Sequence, residues 1–161
     1  MASAVAAALP GRHKHAEWSL VYSTSKSGFS LQTMYRSGVK SARTVLVVHD
    51  FCGHIFGAYC TEPLKVNPRY QGTGEAFVFQ MHPHMIKYGW QQPAHGEPRN
   101  DFFMLVAHDS VGIGGGPHFA LWLDSDLLHG HTGTCATFGC PSLAGSEDFK
   151  VKAIELWQVG A

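Results

Sequence analysis

Two glycine-rich segments, each running into an alternating apolar pattern, constrain the fold of this chain more than any other feature. Residues 72–75 read Gly-Thr-Gly-Glu and precede the pattern at 77–81. Residues 112–116 read Gly-Ile-Gly-Gly-Gly and precede the pattern at 118–123. Neither segment has the spacing of a phosphate-binding loop, and the second leads through Pro117 into a predicted strand where such a loop would lead into a helix. We interpret both as turns between β-strands, where glycine permits positive φ angles and close backbone approach.

Strand-like patterns also occur outside the glycine segments. A period of two, or a β-branched apolar run, is found at 18–23, 44–51, 54–60, 102–107 and 149–159. Turn residues between 44–51 and 54–60 predict a hairpin. The alternation in the last segment changes phase, which predicts a β-bulge near Ile154 and Glu155.

Helical and loop signals are fewer. Ser30 has the chemistry of an N-cap for a short helix over residues 31–36, and a turn is predicted at 26–28. Prolines interrupt residues 61–70 and 91–100, which we expect to be surface loops.

The first 16 residues are rich in alanine. Val5 and Leu9 are four residues apart among good helix formers, which predicts a short helix that begins the domain. The segment also carries basic residues and no acid, so an organelle transit peptide is the alternative. We assign 1–16 to the start of the domain, as a helical or flexible segment, and 17–161 to a single domain.

Many short strands, glycine turns between them and few helical stretches predict a mainly β fold. The expected architecture is a two-sheet antiparallel β-sandwich flanked by a few short helices. A chain of 161 residues is long enough to bury a core of this kind.

The charge balance restricts the possible partners. Twelve basic and twelve acidic residues cancel, so the broad positive surface that holds nucleic-acid phosphates is not expected. No run approaches the roughly 18 apolar residues that an integral membrane helix needs. The absence of a signal-peptide pattern favours a cytoplasmic location with reduced cysteines.

The motifs do not predict a catalytic site or a cofactor. The residues His108, Asp109 and Ser110 are consecutive, whereas a hydrolytic triad is assembled from separated positions. A zinc-binding module is an alternative, built from His118 or Cys135 with two His-x-His pairs, which are His82 with His84 and His129 with His131. The wide cysteine spacing argues against it, so we expect no metal site.

Two other groups of side chains leave alternatives open. Cys140, beside Pro141, is expected to be an exposed thiol that could react with peroxide, whereas Cys60 is expected to be buried. Glu75 and Glu155 stand next to apolar sequence. We expect each to bind backbone donors or a basic partner, with an acid–base pair as the alternative.

Several blocks in one order resemble the TLDc domain family, over a span from about residue 9 to residue 159. The blocks are 18–25, 28–31, 56–60, 72–75, 109–116, 135–138 and 149–157. The positions that match family motifs and could carry functional weight are Gly72, Gly74, Glu75, Gly114, Gly115, Gly116, Cys135, Glu155 and Trp157.

The resemblance implies a β-sandwich that protects against oxidative stress and binds subunits of the vacuolar proton-pumping ATPase, without an established catalytic mechanism. We therefore expect a non-enzymatic, cytoplasmic interaction domain that can associate peripherally with vacuolar or lysosomal membranes. The alternative is an antioxidant enzyme acting through Cys140 or through Glu75 and Glu155. Candidate contact loops are 61–70, 91–100 and 129–140.

Overall fold

The structure is a computed structural model that describes residues 2–160. Its helices are α1 (Ala2–Ala8), a 3-10 helix (Gly11–His13), α2 (Thr24–Ser27) and α3 (Leu31–Gly38). Its strands are β1 (Trp18–Ser23), β2 (Thr44–Asp50), β3 (Ile55–Cys60), β4 (Phe77–His82), β5 (Ile86–Gly89), β6 (Met104–Val106), β7 (Ser110–Ile113), β8 (Leu121–Asp124), β9 (His129–His131) and β10 (Asp148–Val159).

All strand pairs are antiparallel, and the long strand β10 takes part in two sheets. Its carboxyl-terminal part lies between β1 and β2 in a first sheet of order β1-β10-β2-β3-β4-β5. Its first three residues pair with β9 in a second sheet of order β10-β9-β8-β7-β6. The prediction of a mainly β, antiparallel fold with a few short helices is confirmed.

The main core lies between the two sheets. Phe56 of β3 and Phe149 of β10 meet edge to face with ring centroids 4.9 Å apart. They belong to one buried cluster with side chains of β2, such as Leu46, and of the second sheet, such as Val111 and Leu123. Burial of this many apolar side chains supplies most of the favourable free energy of folding.

A smaller apolar cluster covers the opposite face of the first sheet. Val5 of α1 and Leu9, which directly follows α1, lie there with exposures of 0% and 2%, against Val45, Tyr59 and Phe77. Strand β2 is therefore buried on both faces, which explains its continuous apolar run. The predicted short N-terminal helix is confirmed.

The other helices lie close to β1. The Ser30 hydroxyl accepts a hydrogen bond from the Thr33 backbone N–H at 3.3 Å, so the predicted N-cap of α3 is confirmed. The predicted turn at 26–28 is largely the one-turn helix α2, which ends at Gly28 with φ of 77°. No helix among residues 2–160 is long and apolar enough to cross a membrane.

Three sequence predictions about strands need correction. The register shift of β10 against β2 falls between Val151 and Ala153, not near Ile154 and Glu155. Lys152, the extra residue, is exposed, and the shift lets Val151 and Ile154 both face the core.

The glycine segment 112–116 is only partly a turn. Gly112 and Ile113 are the end of β7, where a Cβ on Gly112 would lie 2.3 Å from the Phe119 ring. The strand expected at 118–123 begins at Leu121 instead. The strand β5 was not predicted. Its four residues have no clear apolar alternation, and it is held in the sheet by pairing with β4.

Candidate functional site

The two glycine segments contact the same stretch of chain, residues 100–104. A Cβ on Gly72 would lie 3.0 Å from Phe103 Cβ, and one on Gly115 would lie 3.0 Å from Phe102 Cβ. The Gly114 N–H donates to the Phe103 carbonyl at 2.9 Å. Only glycine allows approach this close, and φ is 111° at Gly72 and 83° at Gly114.

Trp90 extends this contact region to the remaining glycine of the first segment. A Cβ on Gly74 would lie 2.4 Å from the Trp90 ring. Its indole N–H donates to the Asn100 carbonyl at 2.8 Å, and its ring meets Phe103 edge to face at 5.3 Å. We call the assembly of residues 70–75, 90, 100–104, 112–116 and 135–140 the loop junction.

A buried hydroxyl connects the polar groups of the loop junction. Thr137 Oγ accepts from the Gly115 N–H at 3.0 Å and donates to Asn100 Oδ1 at 2.7 Å. The backbone carbonyl of Thr137 accepts a hydrogen bond from the Gln91 N–H at 2.9 Å. Thr137 itself has 0% exposure, and its three bonds fix the loops relative to one another.

The three loops that the sequence suggested as contact regions all reach the loop junction. Tyr70 ends the first, Asn100 ends the second, and Thr137 lies in the third. The Tyr70 hydroxyl is 3.4 Å from the Gly114 carbonyl, and its ring lies 4.8 Å from that of Phe102. The sequence did not show that these three loops meet, and their role as contact regions stays a prediction.

Phe102 is the exposed apolar side chain of the loop junction. It is 42% exposed, although the adjacent Phe103 is 3% exposed. A cavity of about 200 Å³ lies beside Tyr70, with walls formed by Gly115, Gly116 and Pro117. An aromatic ring held by rigid neighbours can bind a partner at a low cost in conformational entropy.

Glu75 is occupied by a basic partner. Arg12 donates from both terminal nitrogens to the two carboxylate oxygens, with Nη1 2.6 Å from Oε2. The hydrogen bond from Arg12 holds the pKa of Glu75 below its ordinary value. The expectation of an ion pair is met here, and the pair connects the 3-10 helix to the first glycine segment.

Glu155 and Trp157 lie outside the loop junction, in β10. Glu155 is paired with Val47 of β2 and Ser23 of β1, and Trp157 lies with its ring centroid 6.4 Å from that of Trp18. Among the described residues, no hydrogen bond or ion pair joins Glu155 to Glu75. The structure thus gives no support to an acid–base pair.

The cysteine predictions are partly wrong. Cys140 is 3% exposed, because its backbone forms a bridge with Cys135 and its side chain enters the core. Cys52, in the turn after β2, is the exposed thiol. Cys60 is buried as predicted, and desolvation raises its pKa to about 12.

The histidine pairs do not come together as a zinc site. No group of three or more His, Cys, Asp or Glu side chains within residues 2–160 could hold a metal ion. His118 and His131 have ring centroids 5.4 Å apart, and His131 Nδ1 lies 3.0 Å from Asp148 Oδ1. His82 and His84 are exposed.

Sequence analysis did not single out Trp90, Asn100, Phe102 or Thr137. Their roles depend on contacts between segments that are far apart in the chain. Of these four residues, only Thr137 lies in a block that resembles the family, the Cys-Ala-Thr-Phe segment at 135–138.

Comparison with known proteins gives consistent results. The TLDc domain family profile matches residues 1–160. Human oxidation resistance protein 1 is 44% identical over 151 residues, covering 92% of this chain and 17% of that protein. The protein of the same name from Xenopus tropicalis gives the same figures.

Human nuclear receptor coactivator 7 is 40% identical over 151 residues, covering 92% of this chain and 15% of that protein. The chain therefore spans about a sixth of the length of the curated relatives that it matches. The family match over residues 1–160 and the identity to these relatives show that the chain belongs to the TLDc domain family.

Proposed function

We propose that this TLDc domain is a non-enzymatic interaction module whose loop junction binds subunits of the vacuolar proton-pumping ATPase. The single observation that carries the proposal is the convergence of three loops around the exposed ring of Phe102. The link to oxidative-stress defence rests on the family and on relatives named for oxidation resistance.

The loop junction has the physical properties of a docking surface. Thr137, Asn100 and the glycine backbone hold its loops by buried hydrogen bonds, so little entropy is lost when a partner binds. Phe102 and Tyr70 supply aromatic surface of the kind that dominates binding energy at protein interfaces. The domain would bind this partner from the cytoplasmic side of a vacuolar or lysosomal membrane.

The state of the acidic groups supports the non-enzymatic part of the proposal. Glu75 is engaged by Arg12, which lowers its pKa, whereas a general acid near neutral pH needs a raised pKa. We also propose that residues 1–16 and 17–161 form one domain. The burial of Val5 and Leu9 against the first sheet supports this.

Affinity capture tests the identity of the partner. Immobilised domain is incubated with cytosol and detergent-solubilised vacuolar membranes, and bound proteins are identified by mass spectrometry against empty beads. We expect enrichment of pump subunits on the domain. Repeated captures that enrich no pump subunit would contradict the proposal.

A peroxide assay tests the enzymatic alternative. We expect the purified domain to consume no more hydrogen peroxide than its four thiols can reduce once. Sustained turnover in the presence of a thiol reductant would show that the domain is an enzyme. A Glu75→Gln variant with unchanged turnover would then exclude Glu75 as the acid or base.

A further inference from the structure

The hairpin at residues 135–140 places two cysteines directly opposite each other. The Cys135 N–H donates to the Cys140 carbonyl at 3.1 Å, and the Cys140 N–H donates to the Cys135 carbonyl at 3.2 Å. In an antiparallel pair that exchanges both hydrogen bonds, the Cα atoms are about 5.5 Å apart and the side chains lie on one face. Disulfides form at Cα separations of about 4.4–6.8 Å.

We propose that Cys135 and Cys140 are a redox modification site, at which hydrogen peroxide converts the two thiols into a reversible intramolecular disulfide. The proposal does not rest on the docking function. Cys135 belongs to a block that resembles the TLDc family, whereas Cys140 lies outside those blocks, so the pair is a property of this chain.

The surroundings assign different roles to the two thiols. The contact between the two thiols lowers the pKa of Cys135 against the opposing effect of burial. The same contact with Cys135 raises the pKa of Cys140, so Cys140 keeps its proton. Cys135 is also the thiol that lies against Gly115, which forms a wall of the cavity beside Tyr70. We therefore assign the attack on peroxide to Cys135 and the resolving role to Cys140.

Both sulfur atoms are buried, so the oxidant must be small. Cys135 Sγ lies 3.5 Å from the carbonyl of Gly115, which has no side chain. Gly115 also forms a wall of the cavity of about 200 Å³ beside Tyr70. Gly115 therefore contacts both the cavity and Cys135, and hydrogen peroxide, little larger than water, fits a cavity of this size.

The chemistry balances without another reagent. The Cys135 thiolate attacks one oxygen of hydrogen peroxide, the O–O bond breaks, and hydroxide leaves to take up the proton that Cys135 had released. The Cys140 sulfur then attacks the sulfenic sulfur, the S–S bond forms, the S–O bond breaks, and the second water carries away the Cys140 proton. Two thiols are oxidised by one electron each, and one peroxide is reduced to two waters.

Mass spectrometry of wild-type protein tests the proposal directly. Native protein is treated with hydrogen peroxide, catalase is added, and free thiols are alkylated after denaturation. We expect a species about 2 Da lighter than the reduced protein before alkylation, whose digest contains a peptide bridged between Cys135 and Cys140. Dithiothreitol should restore both thiols. The assignment comes from the wild-type digest and needs no variant to fold.

Matched variants identify the two roles. Cys140→Ala should abolish the bridge and leave Cys135 oxidised to sulfinic acid at higher peroxide, whereas Cys135→Ala should leave Cys140 as a thiol. Cys52→Ala, which removes the exposed thiol, should leave the bridge unchanged. The proposal is overturned if peroxide oxidises Cys52 while Cys135 and Cys140 still alkylate fully. A bridge that joins Cys52 to another cysteine in place of this pair also overturns it.

Discussion

The Thr137 hydroxyl donates a hydrogen bond to Asn100 Oδ1 at 2.7 Å, across 37 residues of sequence. The same oxygen accepts from the Gly115 N–H, so one buried atom joins three of the segments in the loop junction. Removing it should leave the buried Gly115 N–H without a partner, whereas Asn100 Oδ1 keeps the hydrogen bond that it accepts from the Phe102 N–H at 3.3 Å.

Thr137→Val keeps the shape of the side chain and removes the hydroxyl. We expect the free energy of unfolding to fall by about 1–3 kcal/mol, because the Gly115 N–H is left without an acceptor in a buried site. Urea titration followed by circular dichroism measures this. Thr134→Val, at an exposed position of the same loop, is the control and should change stability by less than about 0.5 kcal/mol. Equal effects of the two substitutions would contradict this role for the hydroxyl.

Gly74→Ala should force Trp90 to move, because the added Cβ would lie 2.4 Å from its ring. Overpacking of this kind costs about 1–3 kcal/mol. We expect a lower melting temperature and a changed tryptophan emission. Gly11→Ala is the matched control, since its Cβ would have no neighbour within 4 Å. A Gly74→Ala protein as stable as Gly11→Ala, with unchanged emission, would show that the close contact with Trp90 does not matter.

Glu75→Gln should destabilise the protein in a pH-dependent way. Arg12 lowers the folded-state pKa of Glu75, so the stabilisation is present above the unfolded-state pKa of about 4.3 and is lost as pH falls through the lowered value. The melting temperature of Glu75→Gln should lie below that of wild type at pH 7, and the difference should close at acidic pH. Glu97→Gln, at an exposed loop position, is the control. A difference that stayed constant from pH 7 to pH 3 would mean that the ion pair is not its cause.

Leu9→Ala should show that the N-terminal segment is part of the folded domain. Leu9 is 2% exposed in the cluster on the outer face of the first sheet, and truncation of such a side chain costs about 2–5 kcal/mol. Leu128→Ala, at 45% exposure, should cost far less. The measurement is the midpoint of denaturant unfolding. Similar midpoints for Leu9→Ala and wild type would show that the N-terminal segment does not contribute to the stability of the domain.

The sequence predicted the elements whose signals are local. Alternation placed β1 and β4, the apolar run placed β2, and Ser30 placed the start of α3. Each of these signals lies within a few residues of the element that it specifies.

The sequence could not predict features that depend on distant neighbours. Gly112 was predicted as a turn residue, but it lies within β7, where the Phe119 ring occupies the space that a side chain would need. Cys140 was predicted to be exposed because it precedes Pro141 in a loop. Its backbone pairs with that of Cys135, and its side chain lies in the core. The bulge in β10 is set by its pairing with β2, two residues before the position that the apolar pattern suggested.

The affinity of purified vacuolar proton-pumping ATPase for two aspartate variants tests whether the loop junction is the binding surface. Phe102 is 42% exposed in the loop junction, and Phe51 is 66% exposed in the turn after β2, so both substitutions add a charge at an exposed aromatic position. We expect Phe102→Asp to raise Kd at least about tenfold, which is a loss of about 1.4 kcal/mol in binding free energy. Phe51→Asp should leave Kd within about twofold of wild type. Unchanged Kd for Phe102→Asp, or an equal loss for both variants, would contradict the loop junction as the binding surface.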